Sequence, residues 1–95
     1  MLEITVGTNN EVLLAGRFDA AQVETAKTFF QSISDARTVD FARLDYISSA
    51  GLGILLATQK RLKDRGQGLK LVNVNSHIRD VLHFSGFDQI FDIAQ

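Results

Sequence analysis

Two adjacent serines, Ser48 and Ser49, carry the clearest chemistry that this sequence offers. They follow an apolar stretch ending at Ile47 and precede a helical pattern whose first turn contains Gly51 and Gly53. The first N–H groups of a helix lack partners within the helix and carry partial positive charge. A hydroxyl presented there is therefore well placed to carry a phosphate. A serine can instead act as the helix N-cap, and the two roles are compatible.

The two glycines need a physical explanation, because glycine inside a helix costs up to about 1 kcal/mol relative to alanine. Close approach of another backbone to the helix would provide one. That backbone belongs either to the protein's own sheet or to a binding partner, and the sequence permits both.

The elements that position the serines follow from the spacing of apolar residues. Residues 2–6 alternate as a half-buried strand does, residues 7–10 form a Gly- and Asn-containing turn, and residues 11–16 give a second strand. The chain therefore opens with a predicted hairpin. The remaining strand candidates are residues 38–41 with residues 44–47 leading out of them, residues 69–74, and a last short strand or turn at residues 90–93.

Three helices are predicted between these strands. The first covers residues 20–34, with Asp19 and Gln22 matching a capped start. The second follows the serines and stops before Gly66, with the cations of residues 60–65 at its C-terminal end, where they suit the helix dipole. The third is short, with Ser76 as its N-cap. The order β-β-α-β-α-β-α-β predicts a single α/β domain over residues 1–95, with right-handed crossovers and a mixed sheet of four to five strands.

Composition excludes several classes of function. The chain of 95 residues has a formal net charge of -1, so no strong field attracts nucleic acid or an anionic membrane. It has no cysteine, which removes disulfides and thiolate chemistry. Neither a signal peptide nor a stretch of roughly 20 apolar residues is present. We therefore expect a cytoplasmic protein that does not insert into a membrane.

Enzymatic sites are not expected. His77 and His83 are six residues apart and no acidic cluster accompanies them, so we predict no metal site. No Gly-x-Ser-x-Gly motif is present, and the Gly-x-Gly spacing at residues 51–53 is too short for a nucleotide-binding loop. The sequence therefore predicts neither an enzyme nor a cofactor.

Residues 47–56, ISSAGLGILL, resemble the signature of STAS domains, which occur in sulphate transporters and bacterial anti-sigma factor antagonists. Residues 16–19, Gly-Arg-Phe-Asp, are similar to the family's segment before its first helix. Residues 39–41 resemble its central strand, and residues 76–87 its last helix with a Ser-Gly-Phe ending. The resemblance covers nearly the whole chain in the expected order, and it implies a STAS-like fold with helices packed mainly on one face.

The resemblance implies an anti-sigma factor antagonist that works by partner switching in bacterial transcription regulation. Its partner would be an anti-sigma factor that is also a GHKL-type serine kinase, and a PP2C-type phosphatase would reverse the modification. Ser49 matches the phosphoacceptor, with Ser48 as second choice, because Ser48 stands where many members have Asp. Asp40 matches an acidic position near the family's site, and it can equally be a turn residue at the end of a strand. The implied contact residues are Asp19, Ser48, Ser49, Ala50, Gly51, Leu52 and Gly53.

The departure at Ser48 motivates a second hypothesis. A STAS chain can instead serve as a non-phosphorylated adaptor subunit of an ABC-type lipid transporter or of a signalling assembly. The expected oligomeric state is a monomer or a weak dimer under either hypothesis.

Overall fold

A computed structural model describes residues 1–94 as five strands and three α-helices. The predicted element order and mixed sheet are confirmed. The elements are β1 (Leu2–Val6), β2 (Val12–Phe18), a 3-10 turn (Ala20–Gln22), α1 (Val23–Gln31), β3 (Arg37–Ile47), α2 (Ser49–Lys63), β4 (Leu69–Val72), α3 (Ser76–Phe84), a second 3-10 turn (Phe87–Gln89) and β5 (Asp92–Ile93). The last residue of the predicted domain, Gln95, lies outside the described residues.

The sheet follows chain order, β1-β2-β3-β4-β5, with β1 antiparallel to β2 and the other pairs parallel. Each crossover from one parallel strand to the next is right-handed, and each leads in the same direction across the sheet. The crossover helices therefore all lie on the same face of the sheet. Burial agrees, since Leu69 and Leu71 are buried while Lys70 between them is exposed. One face of the sheet thus packs against α1, α2 and α3, as predicted, and the other is left largely open.

The third strand was predicted as a short strand over residues 38–41, with residues 44–47 leading out of it, and the predicted length is wrong. β3 is one strand of eleven residues. Its pairing with β2 shifts register twice, between Leu13 and Ala15 and between Gly16 and Arg17, and each shift adds one residue to β3. These extra residues break the period-two alternation that a regular strand shows. Asp40 supports the first shift, because its Oδ1 accepts a hydrogen bond from the Ala42 N–H at 2.8 Å.

Gly16 lies inside β2, although the sequence suggested that the strand ends there. Its φ is +90°, and a Cβ at this position would collide with the Met1 carbonyl oxygen. Only glycine satisfies both conditions. The strand therefore continues to Phe18, which sets where the following loop begins.

Two helix starts also differ from the predictions. Asp19 caps a 3-10 turn by accepting from the Ala21 N–H at 3.2 Å, whereas the Gln22 side chain accepts from the Leu2 N–H at 3.4 Å instead of closing the cap. The predicted first helix thus divides into that turn and α1. Asn75, not Ser76, caps α3, accepting from the Ile78 N–H at 2.9 Å. Ser76 becomes the first helical residue.

Candidate functional site

The candidate site lies where the parallel strands β2 and β3 end side by side. Phe18 pairs with Ile47 at the last position of both strands, and the Ser48 N–H donates to the Phe18 carbonyl at 2.8 Å. Asp19 and Ser48 therefore leave the sheet as neighbours. The carboxyl ends of parallel strands are where α/β sheets most often bind ligands.

Ser48 is the N-cap of α2. Its backbone is extended, and its Oγ accepts a hydrogen bond from the Gly51 N–H at 3.1 Å. The Ser48 carbonyl accepts from the Leu52 N–H at 2.9 Å. This geometry occupies the Ser48 hydroxyl and satisfies one of the unpaired donors of the first turn.

Ser49 is the first residue of α2 and is exposed. Because Ser48 supplies the cap, the Ser49 hydroxyl is not needed to start the helix. The N–H groups of Ser49 and Ala50 are not used by that cap. A phosphate on Ser49 would therefore lie beside helix donors and the positive end of the dipole.

The two glycines of α2 have different explanations. Gly51 is buried, and a Cβ there would lie 3.0 Å from Ile47 Cγ1 and 3.0 Å from Phe18 Cδ1. Its hydrogen side chain lets α2 approach the protein's own sheet. A Cβ on Gly53 would meet no atom of the described chain within 4 Å. Gly53 is exposed, so internal packing does not explain it.

Two of the predicted contact residues point away from solvent. Gly51 is buried and Leu52 is 5% exposed within the hydrophobic core. They fix α2 against the sheet and offer no surface to a partner. Asp19, Ser48 and Ala50 are half-buried, whereas Ser49 and Gly53 are exposed.

A groove between α1 and α2 continues from this surface. Its volume is about 480 Å³, and Ala50, Gly53 and Ala57 form the α2 side together with Ile54. Lys27 lies along it on α1. Arg61, one of the cations that the sequence places near the C-terminal end of α2, also lines the groove. Its guanidinium donates to the carbonyls of Ile33 at 2.7 Å and Phe30 at 2.9 Å, which ties the C-terminal end of α1 to α2.

Arg17 and Tyr46 adjoin the site, and the sequence patterns did not predict them as site residues. They pair across β2 and β3, and the Arg17 guanidinium carbon lies 4.3 Å from the centre of the Tyr46 ring. Arg17 Nε is also 4.0 Å from Asp19 Oδ2. The pairing depends on the two register shifts, which have no obvious local signal.

Asp40 does not lie near Ser49, and the prediction that it belongs to the site is wrong. Seven further strand residues separate it from the end of β3, a distance of roughly 20 Å. Its Oδ1 accepts from the Ala42 N–H and, at 3.0 Å, from Asn73 Nδ2. The Asp40 carboxylate therefore stabilises the local backbone conformation of β3.

His83 and Asp88 form a second pair of titratable side chains. Within residues 1–94, no three His, Cys, Asp or Glu side chains come together as a metal site would require. His83 Nδ1 lies 2.8 Å from Asp88 Oδ2, and this hydrogen bond lowers the pKa of Asp88 below its ordinary value. Both side chains lie far along the chain from the serines. No helix of the described chain is both long and apolar enough to cross a membrane.

Comparisons with known proteins agree on one family. The family model described as "Mlab, STAS domain" matches residues 5–93. BtrV of Bordetella bronchiseptica, named provisionally as an anti-sigma factor antagonist, is 45% identical over 56 residues, which are 59% of this chain and 48% of BtrV. The chain thus matches about half of the length of BtrV. A STAS-domain containing protein of Pseudomonas aeruginosa is 26% identical over 91 residues, or 93% of this chain and 90% of the relative.

Solved structures reproduce the fold. An anti-sigma factor antagonist from Mycobacterium paratuberculosis superposes with a TM-score of 0.81 at 20% identity, over 98% of this chain and 83% of that one. Because the family model matches residues 5–93, the chain belongs to the STAS domain family.

Proposed function

We propose that this protein is an anti-sigma factor antagonist that binds a GHKL-type serine kinase acting as the anti-sigma factor, and that phosphorylation of Ser49 ends this binding. The observation that supports the proposal is that the two serines have different structural roles. Ser48 caps α2, while the Ser49 hydroxyl is exposed at the first helical position. The name of BtrV supports the class of partner.

The proposed contact surface contains the exposed and half-buried residues around Ser49. Ala50 and Gly53 give α2 a nearly bare face, so a partner can approach the helix backbone closely. Asp19, held beside Arg17, borders this face at the end of β2. Such a surface suits a binding protein better than an enzyme, because Asp19 is the one side chain among these residues that could act as an acid or base.

Phosphorylation would act on the complex more than on the fold. A phosphoserine carries about -1.5 to -2 charges at neutral pH. The start of α2 tolerates this charge, since the helix dipole favours an anion there. A partner seated on the same face would have to desolvate the phosphate, which weakens the complex. A PP2C-type phosphatase would restore the binding form.

The direct experiment is phosphorylation by purified GHKL-type kinases of the same genome with ATP, followed by mass spectrometry. Trypsin releases residues 44–60 as one peptide containing both serines, so fragment ions must locate the phosphate. We expect it on Ser49, with modification abolished in Ser49→Ala and retained in the matched Ser48→Ala variant. An unmodified Ser49, together with undiminished kinase binding by Ser49→Asp, would refute the switch.

The adaptor hypothesis rests on Ser48 in place of the aspartate of many antagonists. Serine and aspartate are both good N-caps, and Ser48 does cap α2. The substitution therefore removes a negative charge beside the phosphoacceptor while keeping the helix start. Co-purification separates the two functions: a transporter ATPase or permease would favour the adaptor, and a GHKL-type kinase the switch.

A further inference from the structure

The strand β1 forms one edge of the sheet, and half of its backbone groups point away from β2. The Arg17 N–H donates to the Met1 carbonyl at 2.9 Å, and the Gly7 N–H donates to the Glu11 carbonyl at 2.9 Å. Both bonds fit the antiparallel register of β1 and β2, in which bonded and non-bonded pairs alternate. The odd-numbered residues of β1 therefore bond to β2. The N–H and C=O groups of its even-numbered residues face outward.

Only the first part of this outer edge is occupied. The Gln22 side chain accepts from the outward N–H of Leu2 at 3.4 Å. Among residues 1–94, no hydrogen bond engages the outward N–H and C=O groups of Ile4 and Val6. The Val6 side chain is also 51% exposed, although its neighbour across the sheet, Val12, is fully buried. The second half of β1 thus combines unpaired backbone groups with an exposed apolar side chain.

The two edges of the sheet differ in how they are protected. Proteins normally protect an edge strand with lysine, proline, a bulge or a very short strand. β5, at one edge, has only two residues. β1, at the other, has five, contains neither lysine nor proline and keeps an unbroken register with β2. β1 therefore remains able to pair with a further strand.

We propose that β1 pairs antiparallel with β1 of a second copy of this chain, about a two-fold axis at Thr5. In this register Ile4 of each copy lies opposite Val6 of the other, and each such pair exchanges two backbone hydrogen bonds. All the outward groups of these two residues are then satisfied. Ile4 of one copy covers the exposed Val6 of the other, and the Leu2 N–H keeps its bond to Gln22.

Charge and existing hydrogen bonds favour this register over its neighbours. The axis at Thr5 places the two threonines opposite each other on the open face of the sheet and places Glu3 opposite Gly7. Threonine pairs across strands are stabilising, whereas like charges directly opposite each other are destabilising. An axis at Glu3 would oppose two carboxylates, and an axis at Ile4 would need the Leu2 N–H, which is already bonded. The contact is independent of the proposed kinase switch.

Cross-linking tests the register, because the chain has no cysteine of its own. Opposed residues of a non-hydrogen-bonded pair have Cα atoms about 4.5 Å apart, within reach of a disulfide. With oxidised glutathione, Thr5→Cys should form a covalent dimer at least about tenfold faster than Glu3→Cys, whose two sulfurs would be separated by about 13 Å along the strands.

The two cysteine variants are matched, since both replace exposed residues on the same face of β1. In concentrated urea they should cross-link at the same rate, because the strands no longer pair. Equal rates in the folded protein, or faster cross-linking of Glu3→Cys, would overturn the proposed pairing.

Sedimentation velocity tests the association without a cross-link. Interfaces smaller than about 1,200 Å² are weak, so the measurements should extend from about 10 µM to about 1 mM. The sedimentation coefficient of the unmodified chain should rise with concentration. Thr5→Lys opposes two like charges at the axis and should weaken the dimer at least about tenfold. Ser85→Lys makes the same charge change at an exposed position after α3 and should associate as the unmodified chain does. An unmodified chain that sediments as a monomer throughout, or equal association of the two lysine variants, would refute the dimer.

Discussion

The helices α2 and α3 begin in the same way but present different surfaces. Each follows a parallel strand, each has a capping side chain, and each then places an exposed serine at its first position, Ser49 or Ser76. Residues four apart on a helix are surface neighbours. The neighbour of Ser49 is the bare Gly53, whereas that of Ser76 is the exposed carboxylate of Asp80.

This difference shows that a helix start alone does not define a modification site. Both starts offer a hydroxyl, free N–H groups and the positive end of a dipole. The start of α2 adds a face with short side chains, Ala50 and Gly53, which a second protein could approach closely. At α3, Asp80 would repel a phosphate at Ser76. The comparison makes Ser76 the natural control for every experiment on Ser49.

The largest expected effect concerns partner binding. Ser49→Asp should weaken binding to the kinase that phosphorylates the chain by roughly 100-fold, about 2.7 kcal/mol, because a carboxylate would be desolvated in the interface. Ser76→Asp should leave affinity within about twofold. Isothermal titration calorimetry of both variants measures the difference. Equal losses would remove the distinction between the two helix starts.

The next prediction compares the effects on stability of replacing the buried Gly51 and the exposed Gly53 in the first turn of α2. Gly51→Ala should lower the free energy of unfolding by about 1–3 kcal/mol, since its Cβ would press on Phe18 and Ile47. Gly53→Ala should raise it by up to about 1 kcal/mol, because alanine favours the helix and meets open space. Urea unfolding measures both changes. Similar values for the two variants would contradict the packing described for Gly51.

Local patterns in the sequence predicted much of this molecule. The alternation of residues 2–6 gave the first strand, and the serines before an apolar helical stripe gave the start of α2. Both features depend on neighbours in the chain. The resemblance of residues 47–56 to a known signature then pointed to the family that the comparisons confirm.

What the sequence could not predict depends on contacts between distant segments. The shifted register of β3 pairs Arg17 with Tyr46, and the length of the continuous strand keeps Asp40 away from the site. Asn75 and Ser76 are both good caps, and Asn75 takes the position while its Nδ2 also donates to the Leu44 carbonyl at 3.3 Å. The different roles of Gly51 and Gly53 follow from where Phe18 lies. No local pattern contains this information.

The N-cap residues of α2 and α3, Ser48 and Asn75, allow a matched comparison with a smaller expected effect. Ser48→Ala should cost about 1 kcal/mol of stability through loss of the bond to the Gly51 N–H. Asn75→Ala should cost more, because it also leaves the Leu44 carbonyl without the Asn75 amide. The double variant should lose the sum within about 0.5 kcal/mol if the sites are independent. Chemical denaturation of the three variants tests this, and a larger loss for Ser48→Ala would show that α2 depends more on its cap.

The smallest expected effect is the change in stability caused by Ser49→Asp and Ser76→Asp. Ser49→Asp should raise the free energy of unfolding by about 0.3–1 kcal/mol, because a carboxylate interacts favourably with the helix dipole. Ser76→Asp should gain less, since Asp80 four residues away repels it. The dipole lowers the pKa of the introduced carboxyl in the folded state. The gain should therefore be present above the unfolded pKa of about 3.9 and disappear as pH falls through the folded value.

Urea unfolding at pH 7 and at pH 3 measures this difference. A stability gain in Ser49→Asp at pH 7, together with its loss of kinase binding, would locate the effect of charge at the interface between the proteins. If Ser49→Asp instead unfolds more easily than Ser76→Asp at pH 7, the charge disrupts α2 itself. The weakened binding would then follow from a damaged helix start, and the contrast between the two helices would lose its functional meaning.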